Sequence, residues 1–296
     1  MQQKCIMQRP PTQYVTSCSS AGLHKLAYTD WGDSANPEVL VCAHGLTRNK
    51  HDFDALAQQL SAQRRVICFD FPGRGDSDWL GNKTAYNYNQ YMVDAMVMLA
   101  RTGVTQVDWL GTSMGGILGM LIASMPQSPI RRLIINDVGP FIPKGALRRI
   151  ADYVGKQPVF NTSSELNAYM RRTYASFGAL SDQQWDDYCQ FGQRQLENGQ
   201  LTLNYDPDIS IAFKEAPLDD VNLWPVWASI HQPCLLIHGE ESDLLGRETA
   251  DKMHLTGPKA DILRIPKTGH APALANTVDI TSIQNWLNTA NISTGP

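Results

Sequence analysis

Gly111, Ser113 and Gly115 have the spacing of a site for covalent chemistry on a serine hydroxyl. The residues at 107–110 are apolar enough for a buried strand, and the small and apolar residues from 114 onward suit a buried helix. A G-x-S-x-G sequence between a strand and a helix predicts a nucleophile elbow, a sharp turn that lifts the serine hydroxyl clear of the sheet. The simpler interpretation, a glycine-rich turn with a surface serine, fits the five residues but ignores their context.

A serine nucleophile needs a base, and the base needs an acid that orients it. His270 lies in the loop after the last predicted strand, and Asp243 lies in the loop after the strand before it. The chain order Ser, Asp, His then predicts Ser113, Asp243 and His270 as the catalytic residues. Asp137, which directly follows an earlier strand, is an alternative acid. Loops that follow parallel strands emerge at one edge of a sheet, so these side chains can meet although they are distant in sequence.

Buried strands alternate with helices along most of the chain. Strands are predicted at 14–17, 23–29, 39–43, 66–70, 107–110, 132–137, 234–238 and 261–265, after a loose arm at 1–13. Helices are predicted at 52–62, 91–100, from 114 to before Pro126, at 247–255 and at 281–287. This alternation predicts an α/β protein with a mostly parallel, doubly wound sheet.

The pattern changes between residues 140 and 222. Long β-type apolar runs are missing, and two capping-box sequences, at 162–165 and 181–184, predict helix starts. We therefore expect a core of residues 1–139 and 223–296 with a mostly helical lid at 140–222. The segment is rich in aromatic residues, of which a few should line a pocket. Its basic residues either bind an anionic substrate or form a solvated helix face; they are Lys144, Arg148, Arg149, Lys156, Arg171 and Arg172.

Composition narrows the class of function. The chain has 296 residues and a net charge of −4, which does not favour a nucleic acid or an anionic membrane as partner. The N-terminal residues contain no long apolar run, which predicts neither a signal peptide nor a membrane anchor. Six cysteines without a C-x-x-C pair indicate a reducing compartment, the cytoplasm. No sequence pattern predicts a metal site or a dinucleotide cofactor, and the oligomeric state stays open.

Four features together resemble the α/β-hydrolase family over nearly the whole chain. They are His44-Gly45, the loop Asp70-Phe71-Pro72-Gly73-Arg74-Gly75-Asp76-Ser77, the sequence around Ser113, and His238-Gly239 with Asp243 ahead of Gly269-His270. The resemblance is greatest to hydrolases of small molecules that carry a helical cap after the sixth strand: esterases, lactonases, carbon–carbon bond hydrolases and cofactor-free haloperoxidases.

The resemblance implies a role for each site residue. Ser113 would attack a carbonyl carbon, His270 would take and return the proton, and Asp243 would fix the imidazole tautomer. The backbone N–H groups of Leu46 and Met114 would form the oxyanion hole. No cofactor is implied.

The expected function is hydrolysis of a small carboxylic ester or lactone through an acyl-enzyme. Carbon–carbon bond hydrolysis and haloperoxidase-like perhydrolysis are alternatives, as is acyl transfer to an acceptor other than water. In another class, the chain could be a ligand-binding receptor on a hydrolase fold. Dehalogenase and epoxide hydrolase activities are disfavoured, because those enzymes would carry aspartate where this chain carries Ser113.

Overall fold

The computed structural model describes residues 8–214 and 218–289, which contain twelve strands and ten α-helices. Residues 1–7 of the predicted N-terminal arm lie outside the described residues. The strands are β1 Gln13–Ser19, β2 Gly22–Trp31, β3 Val39–Ala43, β4 Arg65–Phe69, β5 Val107–Thr112, β6 Ile130–Asn136, β7 Phe141–Ile142, β8 Gln193–Gln195, β9 Leu201–Leu203, β10 Val221–Asn222, β11 Cys234–Gly239 and β12 Asp261–Ile265. The helices are α1 Asp54–Leu60, α2 Tyr88–Arg101, α3 Met114–Ala123, α4 Lys144–Tyr153, α5 Ser163–Thr173, α6 Asp182–Gly192, α7 Ile211–Lys214, α8 Trp224–Ala228, α9 Arg247–Leu255 and α10 Thr277–Thr289.

Eight strands form the central sheet in the order β1-β2-β4-β3-β5-β6-β11-β12. The pairs β1–β2 and β2–β4 are antiparallel, and the remaining pairs are parallel. The predicted mostly parallel sheet is therefore confirmed. Because β5 lies between β3 and β6, the loop after β5 lies beside the loops that follow both neighbours.

Helices cover both faces of the sheet, and each face has its own apolar core. Successive residues of a strand point to opposite faces. Trp109 of β5 accordingly packs in the core beneath α2 and α3, while Leu110 packs in the core beneath α1 and α10. Both side chains are fully buried. A central strand buried on two sides explains why the sequence shows continuous apolar runs there.

The segment between β6 and β11 contains helices α4 to α8 and four short strands, and its part from β7 to β10 is the inserted segment. The strands pair as β7 with β10 and β8 with β9, both antiparallel. The β7–β10 pair brings the two ends of this inserted segment together. These strands of two or three residues carry too few residues to show an apolar period, so the predicted mostly helical segment did not include them. Within the described part of the chain, no helix is long and apolar enough to cross a membrane.

Candidate active site

Ser113 occupies a strained turn between β5 and α3. Its φ is +52°, a conformation that residues with a side chain rarely adopt. A Cβ atom at Gly111 would lie 2.1 Å from the carbonyl oxygen of Gly115, and one at Gly115 would lie 2.2 Å from that of Ala43. Only glycine fits at either position, which explains the steric need for the G-x-S-x-G spacing. The turn presents the Ser113 side chain to a cavity.

His270 and Asp137 extend a hydrogen-bonded chain from Ser113. The Oγ of Ser113 lies 3.0 Å from Nε2 of His270, and Nδ1 of His270 lies 2.9 Å from Oδ2 of Asp137. Asp137 is fully buried. A carboxylate can only accept at Nδ1, so the proton belongs there and Nε2 is left to accept the serine hydroxyl.

The prediction that Asp243 orients the histidine is wrong in this structure, because the histidine contacts Asp137 instead. The Asp243 side chain is 59% exposed and forms an ion pair of 2.9 Å with Arg149 on α4. The loop after β11 still contributes to the site, since it donates the Gly239 N–H (2.9 Å) and the Ser242 hydroxyl (2.6 Å) to the Asp137 carboxylate. That loop therefore donates hydrogen bonds to the Asp137 carboxylate, while its own Asp243 pairs with Arg149.

The loop that carries His270 is held by groups from two directions. From the sheet, the Asn136 side chain donates to the carbonyl of Pro272 at 2.9 Å. From the inserted segment, the Ser176 hydroxyl donates to the carbonyl of His270 at 2.8 Å, and the Ser176 carbonyl accepts the N–H of Gly269 at 2.7 Å. The imidazole position thus depends on the inserted segment as well as on the sheet.

The two predicted oxyanion donors belong to the residue after Ser113 and to the loop after β3. Met114 is the first residue of α3, so its N–H has no acceptor within the helix. Leu46 follows Gly45, where a Cβ atom would lie 3.7 Å from that of Ser113. Leu46 and Met114 both line the cavity that contains Ser113. The oxyanion hole formed by these two backbone N–H groups stays a prediction, with both residues at the wall of the cavity that contains Ser113.

Buried polar residues fix the loop that contains Leu46 to the loop after β4. Nδ1 of His44 lies 2.7 Å from the Gly45 carbonyl, and Nε2 accepts the N–H of Phe71 at 3.0 Å. Burial lowers the pKa of His44 from 6.5 to about 3. The ring is therefore neutral at physiological pH, which its acceptor role at Nε2 requires.

Arg74 makes the most direct contact with the proposed oxyanion donors. It is fully buried and donates from Nε to the Leu46 carbonyl at 2.8 Å. Its Nη1 donates to the Pro72 carbonyl and to the Tyr91 hydroxyl, at 2.8 and 3.0 Å, and its Nη2 lies 4.0 Å from Sδ of Met114. Within the described residues it has no carboxylate partner, and its charge is instead stabilised by these oxygen acceptors and by the faces of the Tyr86 and Tyr91 rings, whose centres lie 5.6 and 5.1 Å from the guanidinium carbon. These contacts connect the loop after β4 to the loop that contains Leu46.

A cavity of about 840 Å³ lies between the sheet edge and the inserted segment. Its walls are mainly apolar. The inserted segment contributes Leu147, Ile150, Tyr153, Tyr169, Tyr174, Phe177 and Phe213, and the core contributes Leu46, Met114, Ile117 and Leu121. A cavity of this size and polarity fits a small organic ligand.

Two arginines line the same cavity. Arg48 is buried and held by Asp52, with its guanidinium carbon 4.9 Å from the ring centre of Tyr174 and 4.6 Å from that of Tyr188. Arg149 is half exposed and paired with Asp243. Arg149 is one of the basic residues for which anion binding or a solvated helix face was expected; Arg171, another of them, pairs with Asp182 and does not line this cavity.

The chain matches the alpha/beta hydrolase family model over residues 40–280 and belongs to that family. It is 41% identical over 282 residues to the 3-hydroxybutyrate-oligomer hydrolase of Cupriavidus necator, across 92% of this chain and 95% of that protein. It is 27% identical over 246 residues to the pimeloyl-(acyl-carrier protein) methyl ester esterase of Edwardsiella ictaluri, across 82% and 90% of the two chains.

Solved structures agree with this assignment. A proposed hydrolase from Rickettsia typhi has a TM-score of 0.88 and 34% identity, covering 95% of this chain and 99% of that one. An alpha/beta hydrolase from Novosphingobium aromaticivorans has a TM-score of 0.83 and 32% identity at the same coverage. The protein is an α/β-fold hydrolase with ester hydrolases among its relatives.

Proposed function

We propose that the protein is a serine hydrolase that cleaves short linear oligoesters of a small hydroxy acid such as 3-hydroxybutyrate. The observation that carries the proposal is the hydrogen-bonded chain from Ser113 through His270 to Asp137 at the wall of an apolar cavity. The 41% identity to an oligomer hydrolase, across 95% of its length, supports the substrate class.

In the acylation step, the oxygen of Ser113 bonds to the ester carbonyl carbon while its proton moves to Nε2 of His270. The Asp137 carboxylate stabilises the resulting imidazolium. When the tetrahedral intermediate collapses, the carbon–alkoxy bond breaks and the departing alkoxide takes the proton from His270. The alcohol half leaves, and the acyl half remains as an ester on Ser113.

In the deacylation step, water takes the place of the alcohol. His270 accepts a proton as the water oxygen bonds to the acyl carbon, and it returns that proton to the Ser113 oxygen as the acyl–serine bond breaks. The products are one acid and one alcohol. These transfers use only groups of the chain and water, so the proposed reaction needs no cofactor.

The backbone N–H groups of Leu46 and Met114 stabilise the oxyanion in both steps. Losing one such donor typically costs about 3–4 kcal/mol of barrier. Because the donors belong to the backbone, Leu46 acts through its position and not its side chain. Arg74 supports that position through its bond to the Leu46 carbonyl.

We further propose that residues 140–222 act as a lid that shapes the acyl and alcohol pockets. Their aromatic and aliphatic side chains form much of the cavity wall and would contact the apolar parts of the ester. A small-molecule substrate fits this enclosure. A cytoplasmic location is favoured because the five cysteines in the described part of the chain are free.

Hydrolysis of the ester between two molecules of 3-hydroxybutyrate tests the proposal. Chromatography of released 3-hydroxybutyrate should show multiple turnovers by the wild type and a loss of at least about 10⁴-fold in Ser113→Ala. p-Nitrophenyl butyrate serves as a general ester. Turnover of that ester without turnover of the dimer would reject the substrate class, and full activity of Ser113→Ala on either would reject the serine mechanism.

A further inference from the structure

One ion pair at the cavity wall has no role in the proposed reaction. Arg149 on α4 lies 2.9 Å from Asp243 in the loop after β11, and both residues line the cavity that contains Ser113. Their side chains are 47% and 59% exposed, so a ligand that enters the cavity can reach them. Asp243 has no contact with His270 and therefore has no part in the proton transfers.

Arg149 is positioned to bind a further anion. Its Nη2 faces Asp243, while its Nε and Nη1 have no hydrogen-bond or ion-pair partner in the described part of the chain. A guanidinium carries five N–H donors, so one paired edge leaves donors for a second carboxylate. Arg48, the other cavity arginine, has both Nε and Nη2 bound to Asp52 and is enclosed by aromatic rings.

We propose that Arg149 is a specificity residue that binds the free carboxylate at the acid end of a hydroxy-acid oligoester, and that Asp243 holds it in place. The inference rests on the proposed function and defines its substrate further. Such an oligomer carries one carboxylate, which matches one guanidinium. Asp219 and Asp243 line the same cavity, and their charges oppose ligands with several negative groups.

The chemistry of the oligomer fixes which half of the substrate Arg149 holds. In a hydroxy-acid dimer, the free carboxylate belongs to the half whose hydroxyl is esterified, and this half departs as the alcohol. Arg149 therefore acts in acylation and releases its ligand before water attacks the acyl-enzyme. Its contribution appears in kcat/KM for the dimer, and the acyl half left on Ser113 hydrolyses without it.

The experiment compares the 3-hydroxybutyrate dimer with its terminal primary amide, which has the same shape and no charge. Disappearance of the intact ester, which counts one cleavage per molecule of either substrate, is measured for the wild type, Arg149→Gln, Arg149→Lys and Arg148→Gln. We expect Arg149→Gln to lower kcat/KM for the acid about tenfold while the value for the amide changes less than twofold. Arg149→Lys should retain part of the preference. Arg148, exposed on the same helix and outside the cavity wall, is the matched control.

An unchanged ratio of acid to amide in Arg149→Gln would overturn the inference and leave the serine hydrolase intact. An equal loss for both substrates would also overturn it, because that result reports a damaged cavity wall. Failure of the wild type to cleave the dimer while it cleaves p-nitrophenyl butyrate would reject the oligoester substrate itself. The two proposals therefore fail in distinguishable ways.

Discussion

Asp137 and Asp243 show how a side chain acquires a function from its neighbours. Each follows a parallel strand near the site, yet only Asp137 reaches His270. Asp137 has a φ of +57°, and its carboxylate receives donors from Gly239 and Ser242. Asp243 directly follows Ser242, whose hydroxyl donates to the Asp137 carboxylate. Asp137 is therefore buried beside the imidazole of His270, whereas Asp243 pairs with Arg149 at the cavity wall.

We expect Asp137→Asn to lower kcat for p-nitrophenyl butyrate by about 10⁴-fold, because the amide favours the wrong imidazole tautomer. Asp243→Asn should lower kcat by less than tenfold, since its side chain contacts Arg149. Steady-state kinetics on the two purified variants measures both values. The assignment of the acid would be reversed if Asp243→Asn showed the larger loss.

The low pKa of His44 predicts that the free energy of unfolding decreases at acidic pH. Its folded pKa of about 3 lies below the usual 6.5, because burial and the charges of Arg74, Arg48 and Lys50 oppose protonation. The stabilisation is present above pH 6.5 and is lost as pH falls towards 3, by about 1.4 kcal/mol per pH unit. Urea unfolding between pH 4 and 7 should show this slope in the wild type and a shallower one in His44→Gln.

The exposed His231 provides the comparison for this measurement. His231→Gln should keep the wild-type slope, since its side chain has no hydrogen-bond partner in the described residues. Equal slopes in His44→Gln and the wild type would contradict the prediction, because they would show that protonation of His44 is not coupled to unfolding.

At the residue scale, the sequence predicted those parts of the site that a short local motif defines. Ser113 could be identified because steric demands on Gly111 and Gly115 leave a mark in the sequence. The contacts of Ser242, Asn136 and Ser176 were missed, because each depends on loops that are distant in the chain. Because Ser242 directly precedes Asp243, which was predicted as a site residue, its position in the sequence was the one signal that could have identified it.

At the scale of elements, different parts of the inserted segment make different kinds of contact with the core. Around the His270 loop, Ser176 makes two hydrogen bonds, the Phe177 carbonyl accepts the N–H of Ala273, and Gln184 donates to the carbonyl of Ala275. Helix α4 contacts the loop after β11 through Arg149 and Asp243, both half exposed. The part near α5 and α6 is therefore fixed to the His270 loop by several hydrogen bonds, whereas α4 reaches the loop after β11 through one half-exposed ion pair.

Ser176→Ala tests this support. The variant loses the hydroxyl that donates to the His270 carbonyl and keeps the backbone bond to Gly269. We expect kcat to fall about three- to tenfold, in keeping with the loss of one hydrogen bond that orients the base. Thermal unfolding should change little.

Ser164→Ala is the control, because Ser164 is exposed on α5 and lies away from the cavity wall. Wild-type kcat in both variants would mean that the sheet alone holds the His270 loop.

The limits of element prediction have local causes. Helix α2 begins at Tyr88, three residues before the predicted start, because the Asn87 side chain caps it by accepting the N–H of Gln90. Helix α10 likewise begins at Thr277, where Asn276 accepts the N–H of Asp279. Both asparagines are helix-capping signals that the apolar period alone does not show.

At the scale of the whole molecule, the site and the stabilising ion cluster lie at opposite ends of β5. Ser113 follows the strand, while Asp108 is its second residue and is fully buried. Asp108 accepts hydrogen bonds from Arg64 at 3.1 Å, Arg131 at 2.8 Å and Arg132 at 3.3 Å. The alternation of buried strands and helices predicted the sheet, but no pattern in the sequence placed these arginines around one carboxylate.

We expect Asp108→Asn to lower the free energy of unfolding by about 3 kcal/mol, because it leaves three arginines with one carboxylate fewer. Activity at 25 °C should stay within twofold, since the residue lies away from the cavity. Urea unfolding measures the first effect and ester hydrolysis the second.

Asp251→Asn is the control, because it breaks the exposed pair with Arg264, and it should lower the free energy of unfolding by no more than about 1 kcal/mol. Equal losses in the two variants would contradict a special contribution from the buried cluster.

The central claim, covalent catalysis by Ser113, is tested most directly by trapping the acyl-enzyme. Wild-type protein mixed with p-nitrophenyl butyrate and quenched in acid within the first turnover should gain the mass of one butyryl group. Peptide mapping should place that group on Ser113, and Ser113→Ala should gain none. A butyryl group on another residue, or the same adduct in Ser113→Ala, would contradict the mechanism.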